Sequence, residues 1–163
     1  MVLGPADLDR PADGVGVAHD PALLARAFEL AQKSFDEGGC PIGSVLARGS
    51  LVLGEGHNQR VQRGDPIAHG EMDALRNAGR QRSYAGTTLY TSLSPCMMCA
   101  GTIVQFKIPH VVIGDNVNFG GNEAFLRAHG VIVEVVNDAR CIGLMRRFIA
   151  ERPALWNEDI AED

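Results

Sequence analysis

The sequence predicts an α/β domain, a mixed sheet of five strands with helices on both faces. Three observations carry this. Two short extended runs form a hairpin early in the chain, and helical and extended patterns alternate from there to the C-terminus. With 163 residues, the chain can bury one core of ordinary size but not two comfortable ones. Hydrophobic residues make up 45% and charged residues 21%, the balance of a globular protein in water. Residues 1–19 are rich in Gly, Asp and Pro without periodicity and are expected to form a mobile arm, leaving 20–163 as the domain.

Asp20 before Pro21 marks the first helix, with an N-cap carboxylate followed by a proline at the first helical position. Leu23, Leu24, Ala27, Phe28, Ala31 and Phe35 recur at helical spacing until "EGGCP" interrupts them. "IGSVLARGSLVLGEG" reads as two strands with a tight turn near Arg48, Gly49 and Ser50. The polar stretch "HNQRVQRGDP" reads as a loop, and a helix follows over 68–78. "TTLYTSL" is a strand. Ser94 as N-cap and Pro95 at the first position then open a helix carrying Cys96 and Cys99. "HVVIG" is a strand, "DNVNFGGN" a loop, 123–129 a short helix and "VIVEVV" the fifth strand. A helix over 138–152 should turn Ile142, Met145, Phe148 and Ile149 inward; Pro153 ends it, and "ALWNEDI" makes a tail or one last helical segment.

The longest apolar runs are strand-sized, so no membrane span is expected. The N-terminal residues lack a basic start followed by an apolar stretch, so no signal peptide is expected and the cytoplasm is the expected location. In that reducing compartment, a Cys-x-x-Cys pair points to metal or redox chemistry rather than a staple. The net charge is −5, the basic residues are scattered, and the C-terminus "NEDIAED" is acidic. This disfavours tight nucleic-acid binding, which needs clustered Lys and Arg, and favours a small uncharged partner.

The chemistry concentrates in "AHGEMDAL" and "LSPCMMCAG". Cys96 and Cys99, at i and i+3, share one helical face near a helix start, where free N–H groups favour thiolates. With His69 they form a nitrogen and two sulfurs suited to zinc. A thioredoxin-type pair has no use for the upstream His-x-Glu. A structural zinc needs a fourth ligand, and His57, His110 and His129 each read better as ordinary surface or core histidines. Three ligands leave a position open for water, as catalytic zinc requires. Glu71 alone would pass for a surface charge complementing a helix dipole. Beside His69, Cys96 and Cys99 it completes the H-x-E and P-C-x-x-C pattern of the zinc nucleobase deaminases.

Around these motifs stand "PIG" at 41–43, "GHNQR" at 56–60, "TTLYTSLSPC", "NVNF" at 116–119 and "ERPALWNEDI" at 151–160. With them, the chain from Ala22 onward resembles the fungal-type cytosine deaminases of the cytidine deaminase-like superfamily. The resemblance implies a three-layer α/β/α sandwich, a homodimer, one zinc per subunit and a small-molecule nucleobase substrate. It implies that His69, Cys96 and Cys99 ligate zinc and that Glu71 shuttles protons. Asn58 and Asp159 would read the polar edge of the base, and the backbone of Gly70 and Ser94 its carbonyl and amino groups. Phe119 and Trp156 would wall the ring. On their own these last residues read as a loop-capping Asn, a surface Asp and core aromatics. Asn157 stands where a second aromatic is usual, Met97 where an acidic residue can occur, and Cys40 where a small apolar residue is usual; Cys40 and Cys141 read as buried thiols. The implied activity is hydrolysis of cytosine to uracil and ammonia. The alternatives are deamination of isocytosine, an aminotriazine, guanine or creatinine, then of tRNA adenosine, or a zinc-binding or redox module without catalysis.

Overall fold

The computed structural model describes residues 19–163, so the expected arm over 1–19 lies, except for His19, outside the described residues. Helix α1 (Pro21–Asp36) starts as its sequence requires: the Asp20 carboxylate accepts the Ala22 N–H at 2.9 Å. It buries Leu23, Leu24, Ala27, Leu30, Ala31 and Phe35, with Phe28 half-buried at the margin. Strands β1 (Gly43–Arg48) and β2 (Leu51–His57) form the hairpin, which turns through Gly49 at a left-handed φ of 60°. The stretch read wholly as a loop contains a single helical turn, α2 (Arg60–Arg63). It is too short for periodicity to show.

The remaining elements are α3 (Gly70–Ala78), β3 (Thr87–Thr91), α4 (Met97–Phe106), β4 (His110–Ile113), α5 (Glu123–Ala128), β5 (Ile132–Val135), α6 (Ala139–Glu151) and α7 (Pro153–Asp159). The sheet order is β2-β1-β3-β4-β5. Strand β1 runs antiparallel to both β2 and β3, whereas β3, β4 and β5 are parallel because a helix returns the chain between them.

Strand alternation splits the core into two faces. Val45, Ala47, Tyr90 and Val112 pack against α1, while Leu46, Leu89, Val111, Ile113 and Val133 pack with Ala100 and Ile103 of α4 and Leu126 of α5. The result is the three-layer α/β/α sandwich, and its structural neighbours described below share it. A third cluster joins Phe35 of α1 to Cys40, Leu93, Phe148 of α6 and Trp156 of α7. Helix α6 turns Cys141, Leu144, Met145 and Phe148 inward; Ile142 and Ile149, expected there, are only half-buried at its flanks. Cys40 and Cys141 are buried, as read.

Helix α3 lies directly on β2. A Cβ added at Gly56 would come within 2.6 Å of the Ala74 N and of the Asp73 carboxylate. This close approach fixes the N-terminus of α3, and therefore His69 and Glu71, against the sheet. No helix among the described residues is long and apolar enough to cross a membrane.

Candidate metal centre and substrate pocket

Two helix starts meet at the centre. His69 is the N-cap of α3 and Cys96 the N-cap of α4, with Cys99 one turn inside α4. The expected cap, Ser94, lies two residues before the actual N-cap, and its hydroxyl is taken by Glu123 at 2.9 Å. Neither cap uses its side chain on its own helix, so both side chains are available to each other. His69 Nδ1 lies 3.4 Å from Cys96 Sγ and 3.8 Å from Cys99 Sγ. All three donor atoms fall within 4.8 Å of one another. Tetrahedral zinc with ordinary Zn–N and Zn–S lengths places nitrogen and sulfur about 3.6 Å apart, so the donor set fits zinc in both chemistry and spacing. His57, His110 and His129 are engaged elsewhere, with Glu37, Thr88 and the Phe125 carbonyl respectively.

The protons on this set are unequally held. The Cys99 thiol, and then the His69 ring, hold Cys96 down to about 4 against the effect of burial. The neighbouring Cys96 thiolate and burial push Cys99 well above its ordinary value. Burial alone would lower His69, but its bond to Cys96 and the nearby Glu71 and Asp159 carboxylates outweigh it and raise the ring to about 9. Cys96 is thus the readiest of the three to give up its proton, and His69 and Cys99 hold theirs more tightly.

Glu71 is buried beside it. Its Oε1 receives the Thr91 hydroxyl at 2.8 Å, and its Oε2 receives the Cys99 thiol at 3.1 Å. Burial, followed by the Cys96 thiolate, raises the carboxyl above its ordinary value. A buried carboxyl whose proton affinity has been raised is suited to carry a proton at neutral pH.

A narrow cavity opens from these groups, lined by Ile42, His69, Glu71, Leu93, Ser94, Cys96, Phe119, Trp156, Asp159 and Ile160. Phe119 and Trp156 meet edge to face, with ring centroids 5.9 Å apart. Helix α7 brings Trp156, Asp159 and Ile160 together at i, i+3 and i+4. Asn157 lies off that face and is not among the residues that line the cavity. Asn58 donates from Nδ2 to Asp159 at 3.3 Å, while its Oδ1 accepts the Arg60 N–H at 3.0 Å. The amide is thereby oriented with its NH2 towards the tail. Asp159 also stands 4.0 Å from His69 Nε2. Gly70 sits just behind the cavity, where a Cβ would press on Ile42 at about 3.0 Å.

The structure brings His69, Glu71, Ser94, Cys96, Phe119, Trp156 and Asp159 together on one cavity. Cys99, Asn58 and Gly70 stand behind the cavity wall rather than on it. Ile42, Leu93 and Ile160 also line it; they belong to the PIG, TTLYTSLSPC and ERPALWNEDI segments, within which sequence reading gives them no role. Ile160 follows Trp156 by one helical turn, which is the signal that could have found it.

Residues 18–115 match the cytidine and deoxycytidylate deaminase zinc-binding region, which covers the HGE and PCMMC motifs. The cytosine deaminase of Candida albicans is 52% identical over 146 residues, covering 88% of this chain and 97% of that protein. A tRNA-specific adenosine deaminase of Streptococcus pyogenes is 32% identical over 141 residues, covering 79% of this chain and 89% of that protein. Among solved structures, a guanine deaminase from Nitrosomonas europaea superposes with a TM-score of 0.71 at 21% identity. That match covers 91% of this chain and 94% of the neighbour, which shows the shared fold. The motifs, the sandwich and the donor set agree: the chain belongs to the zinc-binding cytidine and deoxycytidylate deaminase family.

Proposed function

We propose that the chain is a zinc-dependent hydrolytic deaminase that converts the free base cytosine to uracil and ammonia, with residues 20–163 as the deaminase domain. One observation carries the choice of substrate: an amide donor, Asn58, stands beside a carboxylate acceptor, Asp159, which lines the same cavity as Glu71, His69 and Cys96. A donor next to an acceptor matches a carbonyl next to a ring N–H, which is the edge cytosine presents away from its amino group. The 52% identity to a cytosine deaminase supports the same reading. His69, Cys96 and Cys99 hold the ion, one per subunit. When bound, zinc lowers the pKa of water towards neutrality and so supplies the nucleophile. Glu71 takes the proton of that water and delivers it to the ring nitrogen, which makes the carbon bearing the amino group electrophilic. The hydroxyl left by that water adds to this carbon, Glu71 takes its remaining proton and gives it to the amino group, and the carbon–nitrogen bond breaks as the carbonyl forms, releasing ammonia. Ser94 offers its backbone to the pocket because its hydroxyl is turned away to Glu123. Phe119 and Trp156 hold the flat ring, and α7 over the cavity excludes water and leaves no room for a ribose.

The acidic chain and enclosed pocket favour a small base over tRNA, despite the relatives that act on tRNA. A homodimer acting in cytoplasmic pyrimidine salvage accords with the family resemblance.

Asp159→Asn tests how the base is read. Replacing the acceptor by an amide sets a donor against the ring N–H, and kcat/KM for cytosine should fall about 100-fold while zinc content stays at one per chain. Steady-state kinetics with metal analysis decides this. An Asp159→Asn enzyme with the parent's kcat/KM would remove the tail from substrate recognition. Cytidine should be a poor substrate for the parent in the same assay.

A further inference from the structure

The loop between β4 and α5 does two jobs that the catalytic residues alone do not explain. It carries Phe119, one wall of the pocket, and it grips the irregular segment Ser94-Pro95-Cys96 that leads into the metal donors. Its first half is fixed by Asp115, whose carboxylate accepts the N–H groups of Val117 at 2.7 Å and Asn118 at 3.1 Å, and whose carbonyl accepts the Ser94 N–H at 2.8 Å. Beyond Phe119 the chain runs through Gly120 and Gly121, the latter at a left-handed φ of 115°, so the backbone there has little stiffness of its own. Glu123 supplies the missing anchor. Its Oε1 accepts the Ser94 hydroxyl at 2.9 Å, and its Oε2 accepts the Gly121 N–H at 2.9 Å. One buried carboxylate therefore links the segment before Cys96 to the glycine pair that follows Phe119.

The geometry points to Glu123 as a positioning residue that sets substrate affinity by holding the Phe119 wall in register with Ser94. The inference rests on the cytosine deaminase reading above. Burial would raise the Glu123 carboxyl, but the Gly121 and Glu123 N–H groups, the Ser94 hydroxyl and Asn116 outweigh it and keep the group below its ordinary value. The ionised form suits both contacts, since two donors need two acceptor oxygens. A glutamine could keep both contacts, its oxygen accepting the Gly121 N–H and its NH2 donating to the Ser94 oxygen, so truncation to alanine is the change that removes the link. Asn122 adds a parallel tie, donating to the Pro95 carbonyl at 2.9 Å, so Cys96 keeps a second support when Glu123 is changed. Losing the staple should therefore loosen the wall more than the metal site.

The test compares the parent with Glu123→Ala and Ser94→Ala as zinc-loaded full chains. In Glu123→Ala, KM for cytosine should rise about tenfold, with kcat changed less than about threefold and one zinc per chain retained. Trp156 is the chain's single tryptophan and packs on Phe119, so its fluorescence reports on the wall without any substrate. Its emission should shift to the red and quench more readily with acrylamide in Glu123→Ala. Ser94→Ala removes one arm and should move both readouts the same way by less. A merely structural glutamate would lower the melting temperature and leave KM and Trp156 quenching at the parent's values, and that result overturns the proposal. If the parent itself does not deaminate cytosine, the substrate reading fails, and Trp156 quenching still decides the role of Glu123.

Discussion

Glu71→Gln is expected to lower kcat for cytosine by about 100- to 10,000-fold while zinc stays bound at one per chain. The substitution keeps the size of the side chain and an oxygen to receive the Thr91 hydroxyl, so the helix start and the pocket wall should be undisturbed. What it removes is the capacity to hold and release a proton. Glu71 is buried between the Thr91 hydroxyl and the Cys99 thiol, so bulk solvent cannot readily take over the transfer. KM should change little, because in the proposed reading the base is gripped by Asn58, Asp159, Phe119 and Trp156. Rapid-quench kinetics with metal analysis on the same sample separates the outcomes. Loss of zinc in Glu71→Gln would mean that the glutamate belongs to the ligand set instead.

Zinc affinity should climb steeply with pH. The His69 ring at about 9 and the Cys99 thiol well above its ordinary value are both protonated at pH 7, whereas Cys96 at about 4 is already a thiolate. Zinc binds neutral imidazole and thiolates, so each binding event must displace two protons. Between about pH 5 and pH 8 the association constant should therefore rise about 100-fold per pH unit, and the slope should flatten above pH 9 as His69 loses its proton unaided. Competition with a chelating dye at pH 6 and pH 7 measures this directly. A slope near zero would show that the metal-free site already holds deprotonated donors.

The layout of the fold was legible because local chemistry and tertiary packing agree over most of the chain. Asp20-Pro21 caps α1 as it would in isolation, and the alternating side-chain direction of a strand places Val45 and Ala47 on the face opposite Leu46. The reading failed where a distant partner outcompeted a local one. Ser94-Pro95 has the form of a helix cap, yet the Ser94 hydroxyl bonds a carboxylate 29 residues away, and Cys96 takes the cap position instead. Helix α2 is one turn whose N-cap, Gln59, makes no capping bond, so no periodic pattern betrays it. In the site, the metal donors and Glu71 were legible because few residue types do this chemistry, and their spacing is fixed by helix geometry. Asn58, Asp159, Phe119 and Trp156 were legible only through family resemblance, since they come from three separate segments, the one after β2, the loop after β4 and α7, and only the folded chain brings these together. Ile42, Leu93 and Ile160 are ordinary apolar residues that become pocket wall by position alone.

The most direct measurement is ammonia release by zinc-loaded protein given cytosine, with loss of cytosine followed by absorbance and zinc quantified in the same sample. The structure predicts one ammonia and one uracil per cytosine consumed, at one zinc per chain. A folded chain holding one zinc that releases no ammonia from cytosine, yet does so from guanine or isocytosine, would contradict the assignment of the Asn58 and Asp159 edge to a cytosine ring.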